Sequence, residues 1–318
     1  MTRPLPAMIV VMVLLMIVSV MIGAASFDIF AAGSDPWTTM VLMESRLPRT
    51  FSIVLTGAAL AVAGMVMQQL VRNKFVGPSS TGTTESAALG LLGITIFVPE
   101  APIWVKMIVA SLAAMAGTAL FMALIRRLPP REVMLVPIAG MILAGVIGAV
   151  VTFIGWQTDL MQYIGTWLMT GEFSGVVAGR YEVLWFAGAA AAASWFAADR
   201  FAILGLGEGV ARGLGLDPKP VMRLGLVVVS VTSAMVVVSV GMIPFVGLVV
   251  PNIVSRVMGD DLRRTLPVVA VSGAVLVLAC DILGRILRYP YEIPVGTILG
   301  VLGSVVFLIL LYRPPRTA

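Results

Sequence analysis

Long apolar runs separated by short polar breaks set the pattern of this chain. Met8–Ser26, Thr50–Val71, Met107–Ile125, Val133–Trp156 and Leu224–Ile243 each pass without a charged residue. A membrane-spanning helix needs ~20 mostly apolar residues, and these runs have that length. The strand-like alternation of a barrel is absent, so helices are expected to satisfy the backbone in lipid. Less tidy runs complete a set of spans near 8–26, 50–71, 79–98, 107–125, 133–154, 181–198, 222–240, 244–258, 267–286 and 293–312. The eighth is short and is expected to be broken by Pro251. The segment 160–173, "LMQYIGTWLMTGEF", is too short to span and predicts an interfacial helix with Tyr163 and Trp167 near the headgroups. The connections 27–46, 157–180 and 199–221 are too short to hold a folded domain, which starts at roughly 50 residues. The expectation is an all-α integral membrane protein whose residues 1–318 form one transmembrane domain.

Composition agrees. The chain is 59% hydrophobic and 12% charged, with mean hydropathy +1.05, whereas soluble domains are about half apolar and a quarter charged. The net charge of +5 reads as topology rather than as a nucleic-acid surface. With both termini in the cytoplasm, the inner loops and ends carry fifteen of the 21 Lys and Arg residues, which fits the positive-inside rule. No histidine is present and cysteine occurs once, at Cys280. Histidine metal sites, Ser-His or Cys-His catalysis and internal disulfides are therefore excluded, and no catalytic or metal-binding residue is expected.

Small residues recur along helix faces: Gly57, Ala61 and Gly64, then Gly140, Ala144 and Gly148. In lipid such stripes let backbones approach closely. The stretch "GPSSTGTT" (77–84) has the outline of a phosphate-binding loop, but Thr83 stands where the lysine belongs and a membrane helix precedes it. It is read as a helix-to-helix turn whose hydroxyls cap the next helix or line a polar path. Glu85 and Asp281 sit at possible membrane depth and are candidate intramembrane acids. Glu85 also suits a helix start, and Asp281 an i, i+4 pair with Arg285. Arg46 and Arg49 in "RLPR" and Arg285 and Arg288 in "DILGRILR" run against the topological bias. Their rigid forks suit carboxylates, as on an acidic partner or an anionic solute, though snorkelling anchors would use them too. The loop "LGLGEGVARGLGLDPKPVMR" (204–223) predicts a short glycine-bounded helix able to enter a partner's groove.

Taken in order, "RLPRTFSIVLTGAALAVAGMVMQQLVRNKFVGPSSTG", "LGEGVARGLGLD", "IPFVGLVVPNIVSR", "GDDLRRTLP" and "YEIPVGTILGVLGSVVFLILL" resemble the FecCD-type permeases of ABC importers for iron-siderophores and cobalamin. The resemblance implies a ten-helix permease of the bacterial inner membrane, paired with a second copy or a sister permease. It implies two cytoplasmic ATPase subunits, which would hold the ATP and Mg while this chain binds no cofactor. It also implies an extracytoplasmic binding protein that delivers the cargo, with no nucleic acid involved. Arginines matching Arg46, Arg49 and Arg285 would meet acidic residues on that binding protein. The segment about 204–220, with Glu208, Ala211, Arg212, Gly213, Leu214 and Gly215, matches the part that couples to the ATPase. Asn73 and Phe75 match the inner constriction, with Glu132, Val133 and Met134 contributing from a second loop.

The chain departs from the family pattern at Pro251-Asn252, at Asn73-Lys74 and in the hydroxyl-rich turn that leads to Glu85. These features resemble the siderophore branch, so ferric siderophore is the expected cargo, with haem or cobalamin as the alternative on the same scaffold. A different class of reading is a self-sufficient proton-coupled carrier using Glu85 and Asp281.

Overall fold

The computed structural model describes residues 4–23, 35–128, 135–168 and 170–312. Among these the elements are helical throughout. In chain order they are α1 (Pro4–Met21), α2 (Pro36–Val41), a π-helical turn (Leu42–Arg46), α3 (Leu47–Val71), a 3₁₀ turn (Pro78–Ser80), α4 (Thr83–Phe97), α5 (Ile103–Ile125) and α6 (Leu135–Gln157). Then come α7 (Met161–Tyr163) with a π turn (Ile164–Leu168), a 3₁₀ turn (Tyr181–Val183), α8 (Leu184–Phe196), α9 (Ala198–Gly205) and α10 (Glu208–Gly213). The last four are α11 (Pro218–Val240), α12 (Val246–Met258), α13 (Leu262–Leu287) and α14 (Val295–Tyr312). Among the described residues, five segments are long and apolar enough to cross a membrane: Pro36–Val71, Ile103–Ile125, Leu135–Gln157, Pro218–Val240 and Leu262–Leu287. Leu5–Met21, Thr83–Phe97, Val246–Met258 and Val295–Leu310 are shorter apolar helices.

α3 is the axis of the bundle. It packs on α13, α12, α8 and α11, and 78% of the apolar window ending in α3 is buried, against 17% of that in α6. Small residues allow this. A Cβ on Gly57 would collide with the Gly273 carbonyl of α13, and one on Gly64 with the backbone of Gly247 in α12. Backbone therefore meets backbone, as in small-residue helix pairs in lipid. The second stripe does less. Gly140 lies against the Ser80 carbonyl, but Gly148 faces open space. α6 instead turns Ile138, Met141, Ile142, Val146, Val150 and Phe153 outward, an apolar face suited to lipid or to another helix.

Prolines inside helices are used to free carbonyls. Pro267 of α13 has no N–H for Arg263 four residues earlier, and that carbonyl accepts from Trp195 Nε1 of α8 at 3.3 Å. Pro48 likewise donates nothing to the turn before it, and the Glu44 carbonyl takes the Ala178 N–H at 3.0 Å. Pro251 corrects an expectation. It lies inside a continuous α12 and does not break it. The missing bond falls at Gly247, where α12 presses on α3, and Asn252 Nδ2 donates to the Leu248 carbonyl in the next position at 2.7 Å.

Two connections are more structured than the pattern suggested. The span expected at 181–198 continues past a bend at Ala197 into α9. α9 buries Ala198, Phe201 and Leu204 and exposes Asp199 and Arg200, so its amphipathic composition hid it from a search for apolar runs. The 161–168 segment is held against the end of α11. Ile164 and Leu168 are buried, and the Leu168 carbonyl accepts the Met242 N–H at 2.9 Å.

Candidate functional site

α3 joins two polar regions at opposite ends of the bundle. At its start, the π turn and the N-terminus of α3 carry Arg46 and Arg49, and the last turns of α13 bring Asp281 and Arg285 beside them. Asp281 is 1% exposed. Arg49 Nη2 donates to its Oδ1 at 2.7 Å, and Arg285 Nη2 closes on its Oδ2 as an ion pair at 2.5 Å. Arg49 also donates through Nη1 to Glu292 Oε1 at 2.9 Å. Two guanidinium groups and two carboxylates are thus interleaved, so each charge has an opposite one beside it, while Arg49 Nε and Arg285 Nε have no hydrogen-bond partner among the described residues.

The outward arginines do more than face outward. Arg46 and Arg285 are 8% and 5% exposed, and both reach the C-terminal turn of α1. Arg46 Nη1 donates to the Val20 carbonyl at 2.7 Å. Arg285 Nη1 donates to Ser19 O at 2.9 Å and Ile22 O at 2.7 Å, and its Nη2 to Ser19 Oγ at 2.7 Å. The last carbonyls of a helix lack partners within it and carry its negative dipole end. Two cations therefore cap α1. Of the three arginines, Arg49 alone is partly exposed rather than buried. Ser19 and Glu292 belong to the cluster too. They lie 266 residues from Arg285 and 243 from Arg49, and no local pattern could have named them.

At the other end of α3 the chain turns through Arg72, whose φ of 55° is left-handed. Asn73 is buried, and its Oδ1 accepts the Phe75 N–H at 2.8 Å. The Phe75 ring meets Phe307 of α14 edge-on, with centroids 6.1 Å apart. Lys74 pairs with Asp260 at 2.8 Å, while its carbonyl accepts from Asn252 Nδ2 at 2.6 Å. Asn73 and Phe75 thus stand where α3, α12 and α14 meet. Glu132, Val133 and Met134 lie outside the described residues.

The "GPSSTGTT" turn is largely self-satisfied. Thr81 and Thr83 hydroxyls lie 3.0 Å apart, and Thr83 reaches Thr118 of α5 at 2.8 Å. Ser80 Oγ accepts the Gly77 N–H at 2.9 Å. Glu85 is half-buried in the first turn of α4, where a helix favours a negative charge. Its carboxylate accepts the Thr84 hydroxyl at 3.0 Å. The two candidate acids therefore sit in different regions, one held by two arginines and one by a hydroxyl at a helix start.

Beyond α9 the chain forms α10, framed by Gly207 (φ 113°) and Gly215 (φ 79°), conformations that side chains resist. Ala211 is buried, while Glu208 and Arg212 pair on the surface at 3.2 Å. Arg212, Gly213, Leu214 and Gly215 are all exposed. Leu206, Val210 and Leu214 form an apolar ridge, 65%, 48% and 63% exposed. Val210 and Leu214 lie four residues apart and share a face of α10, a signal present in the sequence that drew attention to Leu214 alone, whereas Leu206 stands before the turn at Gly207.

This architecture has known counterparts. Residues 7–313 match the FecCD transport family. The chain is 41% identical over 308 residues to the petrobactin import system permease protein YclN of Bacillus subtilis, covering 96% of each. It is 38% identical over 272 residues to the ferric-anguibactin transport system permease protein FatD of Vibrio anguillarum, covering 86% of each. A solved structure described as an inward-facing metal-chelate type ABC transporter superposes with a TM-score of 0.83 over 99% of this chain and 100% of that one; at 24% identity the likeness concerns the fold. A helical bundle with these membrane-length spans, matched along nearly its whole length, belongs to the FecCD transport family.

Proposed function

We propose that the chain is the permease subunit of an ATP-driven, binding-protein-dependent importer of ferric siderophore in the bacterial inner membrane. The observation that carries the reading is the apolar ridge of Leu206, Val210 and Leu214. Val210 and Leu214 belong to the glycine-framed segment and Leu206 stands just before it, in a chain whose relatives over most of its length are import permeases. An exposed apolar ridge of this kind fits a partner's groove. That partner is one of two cytoplasmic ATPase subunits, which hold the ATP and Mg, and 204–220 is the coupling segment.

The bundle is read as ten crossings with both termini in the cytoplasm, α8 and α9 together making the sixth. The pathway lies against a second copy or a sister permease. Arg49 is the contact for the acidic binding protein, and Arg46 and Arg285 hold it from behind by fixing α1. Asn73 and Phe75, with the loop of Glu132, Val133 and Met134, form the inner gate. Relatives named for petrobactin and ferric-anguibactin support a ferric siderophore as cargo over haem or cobalamin. Asp281 suits a fixed counter-ion better than a proton relay, because two arginines already occupy both its oxygens.

Reconstitution in liposomes tests this. Uptake of a ferric siderophore is expected only with the ATPase, ATP and the loaded binding protein together. Uptake by the purified chain alone under a pH gradient would overturn it.

A further inference from the structure

We propose that Gln69 and Arg72 are positioning residues, through which movement of the coupling segment is delivered to the end of α3. This rests on the reading that α10 receives the ATPase. α10 packs on α9 and α11, so its motion must reach the central helix through a neighbour. One route leads through the corner between α9 and α10. Gly205 ends α9, and a Cβ there would fall on Gln69 Oε1 of the last turn of α3. Two residues later Arg72 Nη1 lies 3.2 Å from where a Gly207 Cβ would stand. Around these contacts the two elements are separated by a cleft of about 360 Å³, which Gln68, Lys74, Leu206 and Asp260 help to line. Beside the packing of α9 on α3, Gln69 and Arg72 thus reach across the cleft to bare glycine backbone at the corner.

The far side of the link is stiff. α3 presses backbone to backbone on α12 at Gly64–Gly247 and on α13 at Gly57–Gly273, and its other end carries Arg49. Displacement of the corner thus shifts an axis already keyed to the inner turn and to the arginine cluster. A ligand-driven change requires contacts that differ between two states, and a contact made by two side chains across a cleft can differ without repacking a core. The rival route runs along α11, which starts just after α10 and meets α3 where Leu70 lies against Gly225.

Gly205 separates the two routes. Its backbone is helical, so alanine brings no strain there and even favours the helix. The atom it displaces is the tip of a flexible, half-buried side chain. Gly205→Ala and Gln69→Ala are therefore expected to leave unfolding temperature unchanged, and Gln69→Ala, which lies outside the coupling segment, to leave ATPase association unchanged as well. Cargo moved per ATP, in the complete transporter with its binding protein, is expected to fall by roughly 5-fold or more, the lower range of ordinary coupling between sites. The double variant should be no worse than either single one, because both break one link. Gly205→Ala with Gln69→Asn, which shortens the carboxamide to make room, should recover coupling. Unchanged cargo per ATP in both single variants, or additive losses in the double, would overturn the proposal in favour of α11. If substitutions on the Leu206 ridge fail to weaken ATPase association, the underlying reading is what fails.

Discussion

At the arginine end, three guanidinium groups and a carboxylate lie inside the protein; at the α10 end, three apolar side chains lie outside it. Each arrangement inverts what water alone would favour, and the inversions have different causes. Asp281, Arg49 and Arg285 are tolerated because each charge has opposite charges or helix-end carbonyls within hydrogen-bond reach. Leu206, Val210 and Leu214 are left largely exposed among the described residues, and a partner molecule would cover them. Most of the first region's charge is matched within its own fold, with Arg49 left partly open, and the second awaits a partner.

Asp281→Ala should break this contrast most severely, because it leaves two buried arginines facing each other. Loss of one partner from a buried pair costs about 3–5 kcal/mol, to be read from thermal unfolding in detergent. Charge reversal at Arg46 or Arg285 is expected to unfold the same end, which leaves Arg49 as the position where docking is best probed. Next is Gly64→Ala on the axis between the ends. Overpacking a tight core costs roughly 1–3 kcal/mol, and the upper end is expected because backbone, not a movable side chain, stands in the way.

The α10 end should respond in the opposite sense. Val210→Asp with Leu214→Asp should leave folding within about 0.5 kcal/mol, as surface changes do. The same pair should weaken association with the ATPase by about 2 kcal/mol or more, roughly 30-fold, if the ridge is a hot spot. A loss of folding stability with association intact would show the ridge to be internal after all. The smallest effect belongs to Arg212→Ala. Its pair with Glu208 is exposed, and such helix pairs are worth about 0.3–0.5 kcal/mol.

Much of this was legible from apolar periodicity, because a helix in lipid must bury its own backbone bonds and therefore announces its length. α9 escaped notice because an amphipathic helix carries polar residues through half its positions. Pro251 misled because a proline inside a helix removes one hydrogen bond without ending it, and here that bond falls at Gly247, where α12 lies close against α3. Arg46 and Arg285 were visible as outward cations, but the helix end they cap belongs to a segment far away in sequence.

The sequence by itself determined the helices, the stripes of small residues on α3 and the glycine frame of α10, since each follows from backbone rules acting within a few residues. Only the tertiary structure decided which glycine meets which, that Asp281 would sit between Arg49 and Arg285, and that Gln69 would rest on Gly205. Those pairings depend on how helices separated by tens to hundreds of residues pack together. In lipid that choice falls to shape and hydrogen bonding rather than to the hydrophobic pattern, because apolar faces gain little from choosing one apolar neighbour over another.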